Sequence, residues 1–508
     1  MISKHKYITL MVAATTLALT ACVTDDSTES NVTLPTLSIE GSDAETMPVH
    51  NIYLGNECVL KPEITYTGND TLTYHWQVGS YANSTKGELQ DAGTGAELRY
   101  NFTAGGSYYA HLTVTDGKVG KSADYQINVN RTFEEGYLLS ATDADGKGNL
   151  TFVKILTPEE EAAGTGDVVM EHAMERMNEN LSEEGLLGAI TCSYSNYPSP
   201  DVTRLLVSTK DHCYFLDPNE LTLLSIANYD EVYPGFSASN FYIDDYAMTP
   251  YCYDNKMKKF VHLNVKNQFP FEYSTYVGFQ PEGIVQGQSS SWGRKSITTF
   301  YLDYTNNAIA KYNAYAAYYG GSYFPTTEDL LSGQELITAF SGYGPGSNYV
   351  TPWYIISQDN DSVCLWMNET ANGMTANDFK SQKIKRTVDL AIPQKGTWLL
   401  CSPTHRRLFY AIDNRVYVLL PQNAFALPTL SQYAIQFPDG EEVTYMETRF
   451  DNEKLLIATY NNSTKRGSFY VYSCADVRTD NAAAVKPDHA WRNCTGRVSK
   501  LIYKASIQ

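Results

Sequence analysis

Apolar residues along most of this chain come in short runs, in pairs, with a turn between the members of each pair. Tyr137–Ser140 is followed by Leu150–Val153, and Leu205–Ser208 by Cys213–Leu216. Tyr251–Tyr253 leads across Asp254-Asn255 to Phe260–Leu263, and Thr298–Leu302 leads across Asn306-Asn307 to Ile309–Tyr312. Tyr354–Ser357 crosses Asp359-Asn360 to Val363–Trp366, Leu408–Ala411 crosses Asp413-Asn414 to Val416–Leu419, and Leu455–Ala458 crosses Asn461-Asn462 to Phe469–Tyr472. Each pair predicts a β-hairpin, because Asn and Asp support the tight turns that join antiparallel strands. The seven starts are separated by 68, 46, 47, 56, 54 and 47 residues. A repeat near 50 residues built from paired strands predicts a seven-bladed β-propeller over 133–508. The last run, Val498–Lys504, is expected to close the ring beside the domain's first strands. An acidic insertion near 157–185 holds nine Asp and Glu residues against one basic residue, Arg176. It accounts for the long first gap and reads as a helical or loosely ordered, solvated segment.

Upstream, residues 37–130 alternate apolar and polar with period two, as in Leu72–Val78, Ser107–Asp116 and Tyr125–Val129. That is the pattern of a β-sandwich. Tyr74-x-Trp76 and the stretch Gly106-Ser107-Tyr108-Tyr109-x-x-Leu112-x-Val114-x-Asp116-Gly117 resemble a PKD-like, immunoglobulin-type domain. The resemblance implies that Trp76, Leu112 and Val114 fill the core and that Asp116-Gly117 turns the chain. The fold class expected for the whole chain is all-β, a PKD/immunoglobulin-like sandwich followed by the propeller.

The N-terminus carries a different signal. Lys4, His5 and Lys6 precede an apolar run from Tyr7 to Leu19 that is too short to span a bilayer comfortably. Leu19-Thr20-Ala21-Cys22 then reads as a lipobox. Residues 1–21 are expected to be a lipoprotein signal peptide, Cys22 the lipidated residue, and 22–36 a flexible polar tether. Asp25 and Asp26 resemble the acidic signal that directs Bacteroidota lipoproteins to the outer face of the outer membrane.

Charge narrows the function further. A net charge of −19 disfavours nucleic acid and anionic lipid surfaces. The 39 tyrosines mark β-richness first and contact surface second. Of nine cysteines, eight remain after Cys22; they form no CxxC pair and sit largely in apolar runs, as buried small hydrophobes do. No HExxH, HxH or GxSxG is present, so no catalytic or metal motif is marked, and nothing implies a cofactor. Asp143–Asn149 has alternate oxygen ligands like a calcium loop but no closing acid, which favours a hairpin turn. Gly342–Gly346 lacks the GK[ST] of a phosphate loop and reads as a turn. Two aromatic loops are the candidate ligand or partner contacts, through Tyr315, Tyr318, Tyr319 and Tyr323 in one and Tyr343 and Tyr349 in the other. Both are expected at blade-to-blade connections.

The layout of lipobox, tether, sandwich and repeats resembles the PKD-like family of surface lipoproteins of Bacteroidota, which accompany SusC/SusD-type TonB-dependent nutrient importers. This resemblance implies a non-enzymatic component of the outer membrane, lipid-anchored and facing outward. Its partners would be a SusC/SusD-like transporter and sibling lipoproteins, and its ligand an oligopeptide or protein rather than a glycan. A glycan-binding protein or propeller glycoside hydrolase, and an adhesin, are the alternatives.

Overall fold

The computed structural model describes residues 34–44, 46–196, 199–243, 249–272, 282–291, 294–311, 330–341, 353–368, 379–397, 399–402, 405, 407–420, 426–449, 454–478 and 485–506. Cys22, Asp25 and Asp26 lie outside them, as do Tyr315, Tyr318, Tyr319, Tyr323, Tyr343 and Tyr349. The chain divides into two compact units, one built mainly from residues up to Ile127 and one mainly from Asn128 onward.

The first unit is antiparallel β. Its strands, with short continuations into the second, are β1 (Leu37–Ile39), β2 (Val49–Tyr53), β3 (Cys58–Leu60), β4 (Ile64–Tyr66), β5 (Thr73–Ala82), β6 (Thr85–Lys86), β7 (Gln90–Gly93), β8 (Leu98–Tyr100), β9 (Gly106–Thr115) and β10 (Gly120–Asn130). The main sheet runs β2-β10-β9-β5-β6, with β7 also on β5, while β1 pairs with β4 and β3 with β8. Period-two alternation places Trp76, Leu112 and Val114 inside, each with no exposed surface. The Trp76 indole N–H donates to the Gly95 carbonyl at 3.0 Å, so its one polar atom is satisfied. Asp116 turns the chain by accepting the backbone N–H groups of Lys118 and Val119, each at 2.7 Å, while Gly117 takes φ +87°.

The second unit holds seven meander sheets among the described residues. The first begins with β11 (Gly136–Thr142), β12 (Gly148–Lys154) and β13 (Val169–Met170), with helices α1 (Pro158–Ala162) and α2 (Ala173–Met177) in the insertion. Sheet two is β14 (Gly188–Tyr194), β15 (Val202–Ser208), β16 (His212–Leu216) and β17 (Leu223–Asn228). Sheet three is β18 (Asn240–Ile243), β19 (Pro250–Asp254), β20 (Lys259–Asn264) and β21 (Phe269–Phe271). Sheet four has three described strands, β22 (Gly283–Ser291), β23 (Arg294–Asp303) and β24 (Ala308–Lys311). Sheet five is β25 (Glu335–Ser341), β26 (Trp353–Gln358), β27 (Ser362–Asn368) and β28 (Phe379–Lys385). Sheet six is β29 (Leu400–Ser402), β30 (Arg407–Ile412), β31 (Arg415–Leu419) and β32 (Ile435–Gln436). Sheet seven is β33 (Glu441–Arg449), β34 (Lys454–Asn461), β35 (Arg466–Ser473) and β36 (His489–Thr495). The last strand, β37 (Arg497–Lys504), returns to pair with β11 and completes the first sheet.

Hydrophobic clusters join every consecutive pair of sheets. Phe152 and Leu138 meet Leu205 and Leu216; Cys213 and Phe215 meet Phe241 and Val261; Tyr251 and Phe260 meet Tyr301. Leu302 and Ile309 meet Leu336 and Ile355; Ile356 and Leu365 meet Leu408 and Tyr417; Phe409 and Val418 meet Ile457 and Tyr470. The seventh cluster packs Leu456, Phe469 and Trp491 against Tyr137, Leu139 and Leu501, returning from sheet seven to sheet one. Seven sheets with seven interfaces, the last leading back to the first, make a closed seven-bladed β-propeller. Closure pairs β11 with β37, so β11 does not remain an open edge.

The ring buries part of the tyrosine content. Tyr229, Tyr251, Tyr253, Tyr301, Tyr354, Tyr410 and Tyr417 are fully buried. The hydroxyls of Tyr251 and Tyr301 meet at 3.0 Å between blades three and four, and Tyr410 donates to the Ala391 carbonyl at 2.7 Å. Of the eight cysteines after Cys22, seven (58, 192, 213, 252, 364, 474 and 494) are buried thiols.

The turns follow the expected residue types by two different mechanisms. Asn307 and Asp413 themselves take positive φ, at +50° and +51°. In the turn after β19, Asp254 instead caps the chain by accepting the N–H groups of Lys256 and Met257, and Lys258 takes φ +58°. Asn461 does the same for Ser463 and Thr464, with the positive φ on Lys465. Asp143–Asn149 is a hairpin turn between β11 and β12, closed by the Asp143 N–H on the Lys147 carbonyl at 2.8 Å.

The acidic insertion departs from the solvated segment expected of its composition. It supplies the outer strand of blade one and buries Met170, Ala173 and Met174 against Phe133 and Phe152. Some of its acids are tied down, while Glu159, Glu161, Asp167, Glu179 and Glu184 stay exposed. Glu160 closes a capping box with Thr157 and pairs with Lys154 at 3.1 Å. Glu183, fully buried, accepts backbone N–H groups from Leu150, Met174 and Glu175 at 2.9–3.2 Å. Nine acids look solvent-seeking in sequence, but carboxylates are also the side chains best suited to anchoring exposed backbone donors.

Candidate functional site

The first-named strand of each blade, with β37 serving blade one, is innermost, so seven strands surround the propeller axis. Three of them carry a β-bulge. Ile337 is the extra residue on β25, Thr444 on β33 and Ser499 on β37. A bulge inserts one unpaired residue, breaks the in-out alternation and re-aims the side chains beyond it. Two of the bulges meet at one cavity, and the segment docked on the third reaches it as well. A cavity of about 480 Å³ is lined by Thr444 and Ser499, and by Gln394, Gly396 and Thr397 of the segment that docks on the third bulge. Gly396 N–H donates to the Ile337 carbonyl at 3.0 Å, and the Thr338 hydroxyl donates to the Thr397 carbonyl at 2.8 Å. That volume lies within the range of small-ligand sites.

The mouth of the cavity is charged. Glu442 of β33 bonds Arg497 of β37, joining blades seven and one. Asn462 donates to the same carboxylate at 3.2 Å, and the Arg497 guanidinium lies 5.4 Å from the centre of the Tyr460 ring. The Arg497 bond holds the Glu442 carboxyl below its usual pKa, so it stays ionised. Asp413, at the β30–β31 turn, also lines the cavity, and its carbonyl accepts the Val443 N–H at 2.8 Å.

Tyr445 and Tyr242 form the inner wall. Burial pushes both phenols above their ordinary pKa, with Glu447 adding to the effect on Tyr445, so both remain neutral donors. Beyond them lie Lys500 on β37 and Glu447 on β33. Lys500 reaches across the inside of the ring from blade one to blade three, where its ammonium donates to the Phe241 carbonyl at 2.6 Å. It sits 5.3 and 5.6 Å from the ring centres of Phe241 and Tyr242. Its stem passes over Gly188 of blade two, where a Cβ would come within 2.5 Å of Lys500 Cδ. Burial lowers Lys500 to about 8 and raises Glu447 to about 8, each opposed by attraction to the other.

None of these residues was marked by motif in the sequence. The available signal was charge inside strand-like runs, in Glu441-Glu442-Val443-Thr444-Tyr445-Met446-Glu447 and Arg497-Val498-Ser499-Lys500. The aromatic loops are placed differently from expectation in one respect. The span 342–352 joins β25 to β26 within blade five, whereas 312–329 precedes β25 from blade four. Tyr354, at the end of the second loop as read from sequence, is a core residue stacked on Phe340 with ring centres 5.0 Å apart.

No protein-family model matches the chain, and no curated protein matches it in sequence. Solved structures resemble it, three of them as follows. One is a quinonprotein alcohol dehydrogenase-like protein from Bacteroides thetaiotaomicron, 13% identical, covering 92% of this chain and 99% of that one with a TM-score of 0.46. Another is the extracellular domain of a one-component system protein from the same organism, 10% identical, covering 72% and 46% with a TM-score of 0.38. The third is PorZ, a surface component of the type-IX secretion system of Porphyromonas gingivalis, 9% identical, covering 78% and 59% with a TM-score of 0.34. The propeller assignment itself rests on the strand pairing and the seven interfaces.

Proposed function

We propose that this protein is a lipid-anchored surface component of a Bacteroidota outer membrane that binds an extracellular ligand in the propeller channel and releases it unchanged. The observation that carries the binding reading is the convergence of two bulged inner strands, and of the segment docked on a third, on one polar, charged cavity. The anchor reading rests on Leu19–Cys22 with Asp25 and Asp26. The ligand class is peptide or protein, since the mouth offers a cation, carboxylates and amide and hydroxyl groups to a peptide backbone. The partner is a SusC/SusD-type importer, following the family resemblance.

Glycan hydrolysis is the rival use of the same cavity, with Asp413 and Glu442 as its carboxylates. The Arg497 bond holds Glu442 ionised, which suits a base or nucleophile, so hydrolysis there would need a separate acid catalyst. The test is affinity capture of the tagged full chain from detergent-solubilised outer membranes, with titration of oligopeptides and oligosaccharides. Co-recovery of a SusC/SusD-like pair, with peptide binding and no product, is expected. Recovery of the protein alone would remove the importer from the reading, and released sugar would replace binding by hydrolysis.

A further inference from the structure

We infer that His172 and Glu183 share one proton, that this proton latches the acidic insertion onto blade one, and that its loss opens the latch.

The geometry calls for the proton. His172 Nε2 lies 2.9 Å from Asp143 Oδ2 in the β11–β12 turn, and a carboxylate cannot donate, so the ring's first hydrogen belongs on Nε2. Nδ1 faces the other way. It is buried, makes no hydrogen bond among the described residues, and lies 3.3 Å from Glu183 Oε2 and 3.9 Å from Glu175 Oε2 of α2. Glu183 is fully buried. One of its oxygens accepts the Leu150 N–H, and the other accepts those of Met174 and Glu175. A bare ring lone pair set against an ionised carboxylate in such a place repels it, whereas one proton on either atom makes the contact attractive. Burial raises the Glu183 carboxyl to about 7, which keeps that proton in place up to neutral pH. The proton belongs to the pair.

The backbone is arranged for the same contact. His172 takes φ +54°, in the left-handed region that side chains other than glycine rarely adopt. Its N–H is held by Asn149 Oδ1 at 3.2 Å, and the Asn149 amide donates to Asp143 at 2.9 Å and to Glu171 at 3.2 Å. The charged groups around the ring are thus Asp143, Glu171, Glu175 and Glu183, with Arg466 of blade seven behind Glu171. β13 pairs with β12 at two positions, so the segment is fastened largely through Glu183 and through the apolar contacts of Met170, Ala173 and Met174.

In an opened segment Glu183 is an ordinary carboxyl, ionised above about 4.5. A closed-state pKa above the open-state one stabilises the closed form in acid, and that contribution is lost as pH rises through about 7. An imidazole in water takes up its own proton below about 6.5, so the loss is read above that pH.

The test is hydrogen exchange of the full chain, read by mass spectrometry over residues 169–184 and corrected for the intrinsic pH dependence of amide exchange. Wild-type protection should fall severalfold from about pH 6.5 to about pH 9, while strands β34 and β35 hold theirs. Glu183→Gln carries an amide that cannot lose the proton, and it should abolish the fall. His172→Asn suits the left-handed backbone but removes the ring. It should show at the lower pH the weak protection that the wild type shows at the higher one. Wild-type protection that stays level, or a Glu183→Gln variant that falls like the wild type, would overturn the shared proton. Should Glu183→Gln fail to fold, His172→Asn decides alone: protection equal to the wild type's at the lower pH would overturn it as firmly.

Discussion

Arg466 grips Glu171 with both arms of its guanidinium, at 2.6 and 3.0 Å, across 295 residues of chain. Arg466 begins β35 of blade seven, and Glu171 follows β13 of blade one, so the pair spans the seam where the ring closes. The same guanidinium donates to the Asn493 carbonyl, and the buried hydroxyls of Thr151 and Thr495 meet at 2.8 Å across the same seam. A bidentate fork of this kind is geometrically selective. Because both side chains are about a third exposed, solvent discounts its strength. Arg466→Ala should destabilise the propeller by about 1–2 kcal/mol in urea unfolding. Arg466→Lys keeps the charge without the fork and should fall between the two.

Deleting β37 should have a far larger effect. The strand pairs with β11 at seven positions and buries Val498 and Leu501. Its loss would expose β11 as an edge and open the interface between blades seven and one. A chain ending at Gly496 is expected to lose cooperative thermal unfolding and to associate on size-exclusion chromatography. A monomer with a sharp transition would show that the seam is dispensable.

His262 gives the fold an acid-side weakness. It is 2% exposed, between the Tyr251 and Phe271 rings, and burial lowers its pKa to about 3. The unfolded value is about 6.5. A folded pKa below the unfolded one gives stability that is complete above pH 6.5 and declines as pH falls towards 3. This group alone should cost about 2 kcal/mol at pH 5 relative to pH 7. His262→Phe should remove that part of the slope, measured as the wild-type minus variant difference in unfolding free energy against pH.

Cys22→Ala tests the anchor. The variant should fold and lose its membrane attachment, appearing in the soluble fraction on cell fractionation. Retention in the outer membrane would require a different means of attachment.

How much of this was legible beforehand follows from where each strand sits. The seven hairpins read from the sequence are β11–β12, β15–β16, β19–β20, β23–β24, β26–β27, β30–β31 and β34–β35, the two middle strands of each blade with four described strands and the last two of blade four. Those strands are covered on both faces by adjacent blades, so they read as continuous apolar runs; every residue of β12 and β19 is buried. The outer strands have no such cover, as in Phe379-Lys380-Ser381-Gln382-Lys383-Ile384-Lys385 of β28, and they pass for loop. The inner strands face the channel with charged and hydroxyl side chains, and their bulges break the period that would reveal them. The candidate site lies on those strands. The run Val498–Lys504 was legible as the closing strand, but nothing in the period marked Glu442, Glu447, Arg497 or Lys500 as lining a site, whereas the aromatic loops drew attention through composition alone.

Closure by β37 also sets an order of events. Blade one has no inner strand until residue 504 has been made, so the ring cannot be completed by any shorter nascent chain. Its two halves meet only through contacts of the longest sequence separation, which form slowly. The feature that seals the finished molecule thus also makes closure of the ring its latest folding event.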